Sequence, residues 1–196
     1  MRDAKKRATQ RALATATRDL VIEHGLDAVT VEQIAGAAGV SVRTFFNYFD
    51  SKEAAIIGGD MPFGTEPSRA AFVAGGPTGD LLTDLFELVD PESFFSEAGR
   101  EEVGKIHQIA IREPRVLAAT LARLNSQERQ TAELIAARAG RTASTPADEL
   151  IASVSLHLLL RSTFLWLGDE SQPLVTAFNQ ARHAASDLLA SPPTAD

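Results

Sequence analysis

The stretch Thr30-Val31-Glu32-Gln33-Ile34-Ala35-Gly36-Ala37-Ala38-Gly39-Val40-Ser41-Val42-Arg43-Thr44-Phe45-Phe46-Asn47-Tyr48-Phe49 decides the fold of this chain. Thr30 followed three residues later by Gln33 is a capping box, so a helix starts near Val31. Ile34, Ala35 and Ala38 give it an apolar side, and Gly39 ends it after barely two turns, because glycine enters the left-handed region without a steric penalty. Ser41 caps a further helix. That helix runs from about Val42 to Phe49, with Phe45 and Phe49 on one face and Arg43, Thr44, Asn47 and Tyr48 spread over the remainder. Two short helices about a glycine-bearing turn are the parts of a helix-turn-helix, here at about 31–50.

On the N-terminal side of this stretch, Leu13, Ala16, Leu20 and Val21 recur at helical spacing and predict a helix from Thr9 to Gly25. On the other side, Asp50 or Ser51 caps a helix over about 51–58. Residues 1–56 therefore form a small helical domain whose core holds Phe45 and Phe49. Residues 57–79 carry Gly58, Gly59, Gly64, Gly75, Gly76 and Gly79 with Pro62, Pro67 and Pro77, and read as the end of a connecting helix followed by a linker. Helical patterns resume over 80–89, from about Phe94 to Ile111, and after Pro114 as far as Gly140. The stretch 146–167 is apolar nearly all round, which requires burial on more than one side. Leu174, Phe178, Ala181, Ala185 and Leu188 step by four and three, a heptad-like seam. Residues 191–196 read as a tail. With no period-2 strand pattern, the chain is expected to be all-α, a three-helix helix-turn-helix domain followed by a larger helical domain over 80–190.

Composition narrows the chemistry. The chain has 196 residues, 44% of them apolar and 23% charged, which is the usage of a folded globular protein. The absence of cysteine excludes disulfides, thiol nucleophiles and thiolate metal sites. His24, His107, His157 and His183 show no metal-ligand spacing, and no glycine pair is followed by the Lys-Ser or Lys-Thr of a phosphate loop, so neither an enzyme, a metal nor a cofactor is expected. Net charge is −7, but it is unevenly placed. Residues 1–56 carry eight basic against seven acidic side chains, residues 57–196 eleven against nineteen. Within the first 18 residues Arg2, Lys5, Lys6, Arg7, Arg11 and Arg18 face only Asp3, the pattern of a nucleic-acid-binding arm on an acidic body. No secretory signal follows Met1, and the apolar stretch 150–167 contains His157 and Arg161, so a cytoplasmic protein that does not span a membrane is expected.

Leu13, Ala16, Leu20, Gly25, Thr30-Val31, Ile34-Ala35, Ala38-Gly39-Val40-Ser41, Thr44, Tyr48-Phe49 and Lys52-Glu53 resemble, in type and spacing, the N-terminal domain of the tetracycline-repressor (TetR) family of transcriptional regulators. The resemblance covers roughly 8–56. Phe46 stands where many members have a tyrosine, and Ala55 where a leucine usually anchors the fourth helix. The resemblance implies a homodimer on a palindromic double-stranded DNA operator, released by a small, mainly apolar effector. Thr30, Ser41, Val42, Arg43, Thr44, Asn47, Tyr48 and Lys52 then become the DNA-contacting set. Side-chain chemistry agrees, since Arg43 suits guanine O6 and N7, Asn47 suits adenine, and Lys52 suits a phosphate. The effector would be lined by residues among Phe95, Ile106, His107, Ile109, Leu121, His157, Arg161, Phe164 and Trp166, and the dimer would form through the 174–188 seam with helix 146–167. Two other classes fit the composition: a carrier of apolar small molecules, and an architectural protein that binds DNA without sequence preference.

Overall fold

Helix formation in the first third of the chain is governed by side-chain caps at every break. The structure is a computed structural model and describes residues 2–58, 64–88, 99–169, 171–173, 176–181 and 183–184. In order these form α1 (Arg2–His24), α2 (Val31–Ala37), α3 (Val42–Phe46), α4 (Lys52–Ile56), α5 (Glu66–Val73), α6 (Leu81–Leu88), α7 (Gly99–Ala110), α8 (Pro114–Arg138) and α9 (Pro146–Gly168), with further helical residues at 176–181 and 183–184. No strand occurs among the described residues, so the chain is all-α.

The chain divides into two units. The first comprises residues 1–61 with 100–123, the second 62–99 with 124–196. The division falls within α8, whose first ten residues belong to the first unit.

In the first unit, Thr30 caps α2 in a complete capping box with Gln33. Ala38 closes α2, and Gly39 takes φ +68°. The amide of Val40 then donates to the Ala35 carbonyl at 2.9 Å and that of Gly39 to Gly36 at 3.1 Å, which is the paired bonding of a Schellman turn. Ser41 starts α3 and Ser51 starts α4, each hydroxyl accepting from the amide three residues on. Leu13, Val21, Leu26, Val29, Ile34, Phe45, Phe49 and Ile56 form the core, joined by Ile109 of α7 and Val116 of α8.

Two expectations are corrected here. Helix α1 begins at Arg2, not at Thr9, because Ala4, Lys5, Lys6, Arg7, Ala8 and Gln10 are strong helix formers with no glycine or proline among them. The basic segment is thus the opening of α1 and not an arm ahead of it. Arg18, counted from sequence among the DNA-facing charges, is only 5% exposed. It is committed internally, through Nε to the Ile56 carbonyl at 2.8 Å and through Nη1 to Glu102 at 2.6 Å.

The second unit contains a helix inside the stretch read as a linker. Residues 65–73 hold no glycine; Thr65 forms a capping box with Ser68, and Pro67 lies in the first turn where its missing N–H costs nothing, so α5 forms. Gly64 just before it is irreplaceable by a larger residue, since a Cβ there would stand 2.9 Å from the Leu88 carbonyl and φ is +75°. Phe72, Leu85, Leu88, Ala132, Ile135, Ala152, Leu156, Leu159 and Phe178 make the core. Two ion pairs hold its turns. Arg138 donates to Asp84 at 2.6 Å and to the Gly75 carbonyl at 3.2 Å while lying 4.8 Å over the Phe72 ring. Arg141 grips Asp148 through both nitrogens, at 2.6 and 2.8 Å, beside the Thr145 cap of α9.

Helix α9 is long and apolar enough to cross a membrane by length and composition, yet one of its sides is buried against its own unit. Ala152, Ser155, Leu156, Leu159, Ser162, Thr163 and Trp166 are buried. The buried hydroxyls of Ser155, Ser162 and Thr163 are satisfied by the carbonyls four residues back.

Candidate nucleic-acid interface

Burial of Phe45 (0% exposed) and Phe49 (2%) fixes which way α3 faces. Four residues advance a helix by slightly more than one turn, so residues four apart share a column. Arg43 and Asn47, both exposed, fall in one column opposite the buried phenylalanines. Thr44 and Tyr48 flank them on one side and are half-buried; Val42, half-buried, and Phe46, exposed, flank them on the other. The face therefore grades from hydroxyl through hydrogen-bonding and cationic to apolar.

The cap residues are partly occupied in holding this geometry. The Ser41 hydroxyl accepts from the Thr44 amide at 3.1 Å and shares a hydrogen bond with Thr44 Oγ1 at 2.9 Å. Thr30 is exposed at the start of α2, its hydroxyl accepting from Gln33 at 3.3 Å.

Lys52 has a function that sequence reasoning missed. Its Nζ donates to the carbonyls of Leu26 and Val29, both at 2.6 Å, tying the start of α4 to the α1–α2 connection. An ammonium carries three protons, so one remains for a ligand beyond these two bonds. No spacing rule would have announced this, because the acceptors are backbone carbonyls 23 and 26 residues away.

A second missed group is the ion cluster of the first unit. Glu102 accepts from Arg18, from Lys105 at 2.9 Å and from Thr15 at 3.0 Å. Burial works against its ionisation, but the bonds from Lys105, Arg18 and Thr15 outweigh it and lower its pKa below the usual carboxylate range. Lys105 in turn is raised well above the ordinary lysine value by its bonds to Asp19, Glu101 and Glu102. Arg123 donates to the Ile57 carbonyl and Arg115 to Asp27. Neither the burial of Arg18 nor its partner in α7 was legible from spacing, because Glu102 lies 84 residues away in the chain.

The residues suggested by sequence for an effector pocket are not gathered at one place. Ile106, His107, Ile109 and Leu121 belong to the first unit, where Ile109 is core, His107 is exposed and Leu121 is 52% exposed. His157, Arg161, Phe164 and Trp166 belong to the second. Trp166 is buried there, while His157 and Arg161 are exposed and Phe164 is 39% exposed. Phe95 lies outside the described residues. A crevice of about 120 Å³ in the first unit is lined by Val21, Ile22, Gly25, Gln108, Ile109, Arg112 and Glu113. It is well below the roughly 300–1,000 Å³ of a typical ligand pocket. Of the expected dimer seam, Phe178 is buried in the core of its own unit and Ala181 is half-buried; Leu174, Ala185 and Leu188, like the tail at 191–196, lie outside the described residues.

Residues 13–55 match the family described as Bacterial regulatory proteins, tetR family, and residues 94–190 match the MftR C-terminal domain. The chain belongs to the TetR family of transcriptional regulators. It is 24% identical over 184 residues, 90% of this chain and 89% of the relative, to a Mycobacterium tuberculosis (strain ATCC 25618 / H37Rv) protein, MftR, named for transcriptional regulation of mycofactocin biosynthesis. A shorter likeness, 43% over 49 residues and a quarter of each chain, links it to the HTH-type transcriptional regulator YdeS of Bacillus subtilis (strain 168). The TetR match spans the helix-turn-helix and ends at Ala55 in α4; helices α1 to α4 are thus the DNA-binding module of a TetR regulator.

Proposed function

We propose that this TetR regulator is a cytoplasmic repressor that binds a palindromic operator as a homodimer through α3 and is released by a small, mainly apolar effector. The observation that carries the reading is the exposed Arg43–Asn47 column, set opposite the buried Phe45 and Phe49 on a capped helix. Such a column offers a bidentate donor for guanine and a donor–acceptor pair for adenine on adjacent base edges. Thr44, Tyr48 and the remaining proton of Lys52 supply phosphate contacts on the flanks, with Thr30 and Ser41 beside them; these position the helix without reading sequence.

The dimer is supported by α9. Leu150 (65% exposed), Val154 (42%), His157, Arg161, Phe164 (39%) and Leu165 (40%) lie within about 100° of one another around that helix at 100° per residue, on the side away from its buried residues. A stripe of this length, four of its six side chains apolar, suits a twofold, self-complementary contact. Twofold symmetry would present two α3 helices about 34–36 Å apart, one turn of the duplex.

The test is a binding titration of the chain's own upstream DNA against random duplex at several salt concentrations. Arg43→Ala is expected to cost about 1–3 kcal/mol on the operator and to relax selectivity at one base pair. Equal losses on operator and random DNA would remove Arg43 from base reading, and equal affinity for every duplex with a steep salt slope would mark an architectural protein. A small-molecule carrier would bind neither.

A further inference from the structure

Phe46 is 54% exposed at the end of α3, whereas Phe45 beside it and Phe49 three residues on are buried. The fold does not use it as core, because Phe45 and Phe49 already fill the space under α3. Its ring meets Phe45 edge-on, with centroids 5.4 Å apart and planes at 88°, so its position is set while much of its surface stays in water. Burying such a ring is favourable wherever a partner offers apolar surface, and the structure leaves that gain unrealised on the face that carries Arg43 and Asn47.

We propose that Phe46 reads the C5-methyl group of a thymine in each half-site, next to the bases met by Arg43 and Asn47. The inference rests on the reading of α3 as the groove-entering helix and adds the identity of a base. A phenyl ring can neither donate to a phosphate nor bond a base edge, and the apolar group that base edges present in the major groove is the thymine methyl. The flanks of α3 agree with this assignment. Phe46 shares its column with the apolar Val42, whereas the hydroxyls of Thr44 and Tyr48, suited to phosphate oxygens, lie on the opposite flank. The methyl-bearing base is therefore on the side of the Arg43–Asn47 contacts away from the strand that Thr44 and Tyr48 grip.

The experiment uses the full chain and the duplex it enriches from a random-sequence pool. Each thymine of the enriched half-site is replaced in turn by deoxyuridine, which deletes the methyl and nothing else. At one thymine per half-site the replacement is expected to weaken binding about fourfold, and about 15-fold when made in both half-sites, the equivalent of one methyl-sized burial each. The same replacement is expected to leave the affinity of Phe46→Ala unchanged, with Phe46→Leu intermediate. If no thymine responds to the replacement in the native chain, or if Phe46→Ala responds as the native chain does, the assignment is overturned while the operator-binding reading stands. A loss in Phe46→Ala that is equal on all duplexes also overturns it, and puts the ring on sugar or phosphate. Failure of the pool to enrich any duplex overturns the reading of α3 on which the inference depends. Because the uracil arm alters only the DNA, a null result there overturns the assignment even if Phe46→Ala folds poorly, and Phe46→Leu then serves as the variant that assigns the methyl contact to the ring.

Discussion

Replacing Arg18 by methionine keeps the apolar stem of the side chain and removes its guanidinium from a site where it is only 5% exposed. Two interactions are lost. The Ile56 carbonyl at the end of α4 loses the Nε–H that reaches it at 2.8 Å, and an unsatisfied buried acceptor costs about 1–3 kcal/mol. Glu102 loses its 2.6 Å ion pair. Breaking a buried pair outright costs about 3–5 kcal/mol, but Glu102 is 17% exposed and keeps Lys105 and Thr15, so about 1 kcal/mol is expected from this part. Together the variant should be destabilised by about 3 kcal/mol, on the order of a hundredfold in the folding constant. Urea unfolding followed by far-ultraviolet circular dichroism, at pH 7 and fixed protein concentration, measures it. The double variant Arg18→Met with Glu102→Gln should recover part of the loss, because the carboxylate is no longer stranded beside a missing cation. A loss below about 0.5 kcal/mol, or strict additivity in the cycle, would refute the claim that Arg18 is a buried, coupled node joining α1, α4 and α7.

Lys52→Ala is expected to weaken binding to operator and random DNA by the same factor and also to lower Tm by several degrees, since Nζ holds the Leu26 and Val29 carbonyls; an unchanged Tm would contradict the clamp. Val154→Glu, on the exposed stripe of α9, should convert dimer to monomer in light scattering at micromolar concentration and abolish tight binding to a palindrome, with Tm of the isolated chain nearly unchanged. A persistent dimer would move the interface elsewhere. For acid stability the group to watch is Asp84. Burial opposes its charge, but the Thr78 hydroxyl and amide, Arg138 and the Gly79 amide lower its pKa from 3.8 to about 2. A depressed carboxylate stabilises fully above its unfolded pKa and loses that contribution as pH falls through the folded value. Stability of the native chain should therefore decline between about pH 4 and pH 2, and Asp84→Asn should flatten that limb in a Tm-against-pH series; an identical slope in the variant would count against the Arg138–Asp84 node.

Much of the architecture was legible in local chemistry. The caps at Thr30, Ser41 and Ser51, the positive φ at Gly39 and the pairing of Phe45 with Phe49 act within a few residues of each other, and a short-range code reads them directly. The same locality put Arg43, Thr44, Asn47 and Tyr48 on the surface away from Phe45 and Phe49 before any coordinates. Local reasoning failed where composition was averaged over too wide a window. Gly64 and Gly75 bracket a glycine-free segment that folds as α5, and counting glycines across 57–79 hid it. It failed again at α1, where a run of positive charge looked like an arm although its residues are good helix formers.

Spacing and capping along the chain set the order and type of the N-terminal helices and the side chains that α3 turns outward, because helix periodicity and capping are nearest-neighbour properties. It takes the packed chain to show that Arg18 is buried and spoken for, that Lys52 spends two protons on its own chain, and which side of α9 lies bare. Each of those depends on contacts between residues tens of positions apart, or on which face of an apolar helix finds a partner, and neither is encoded in spacing along the chain.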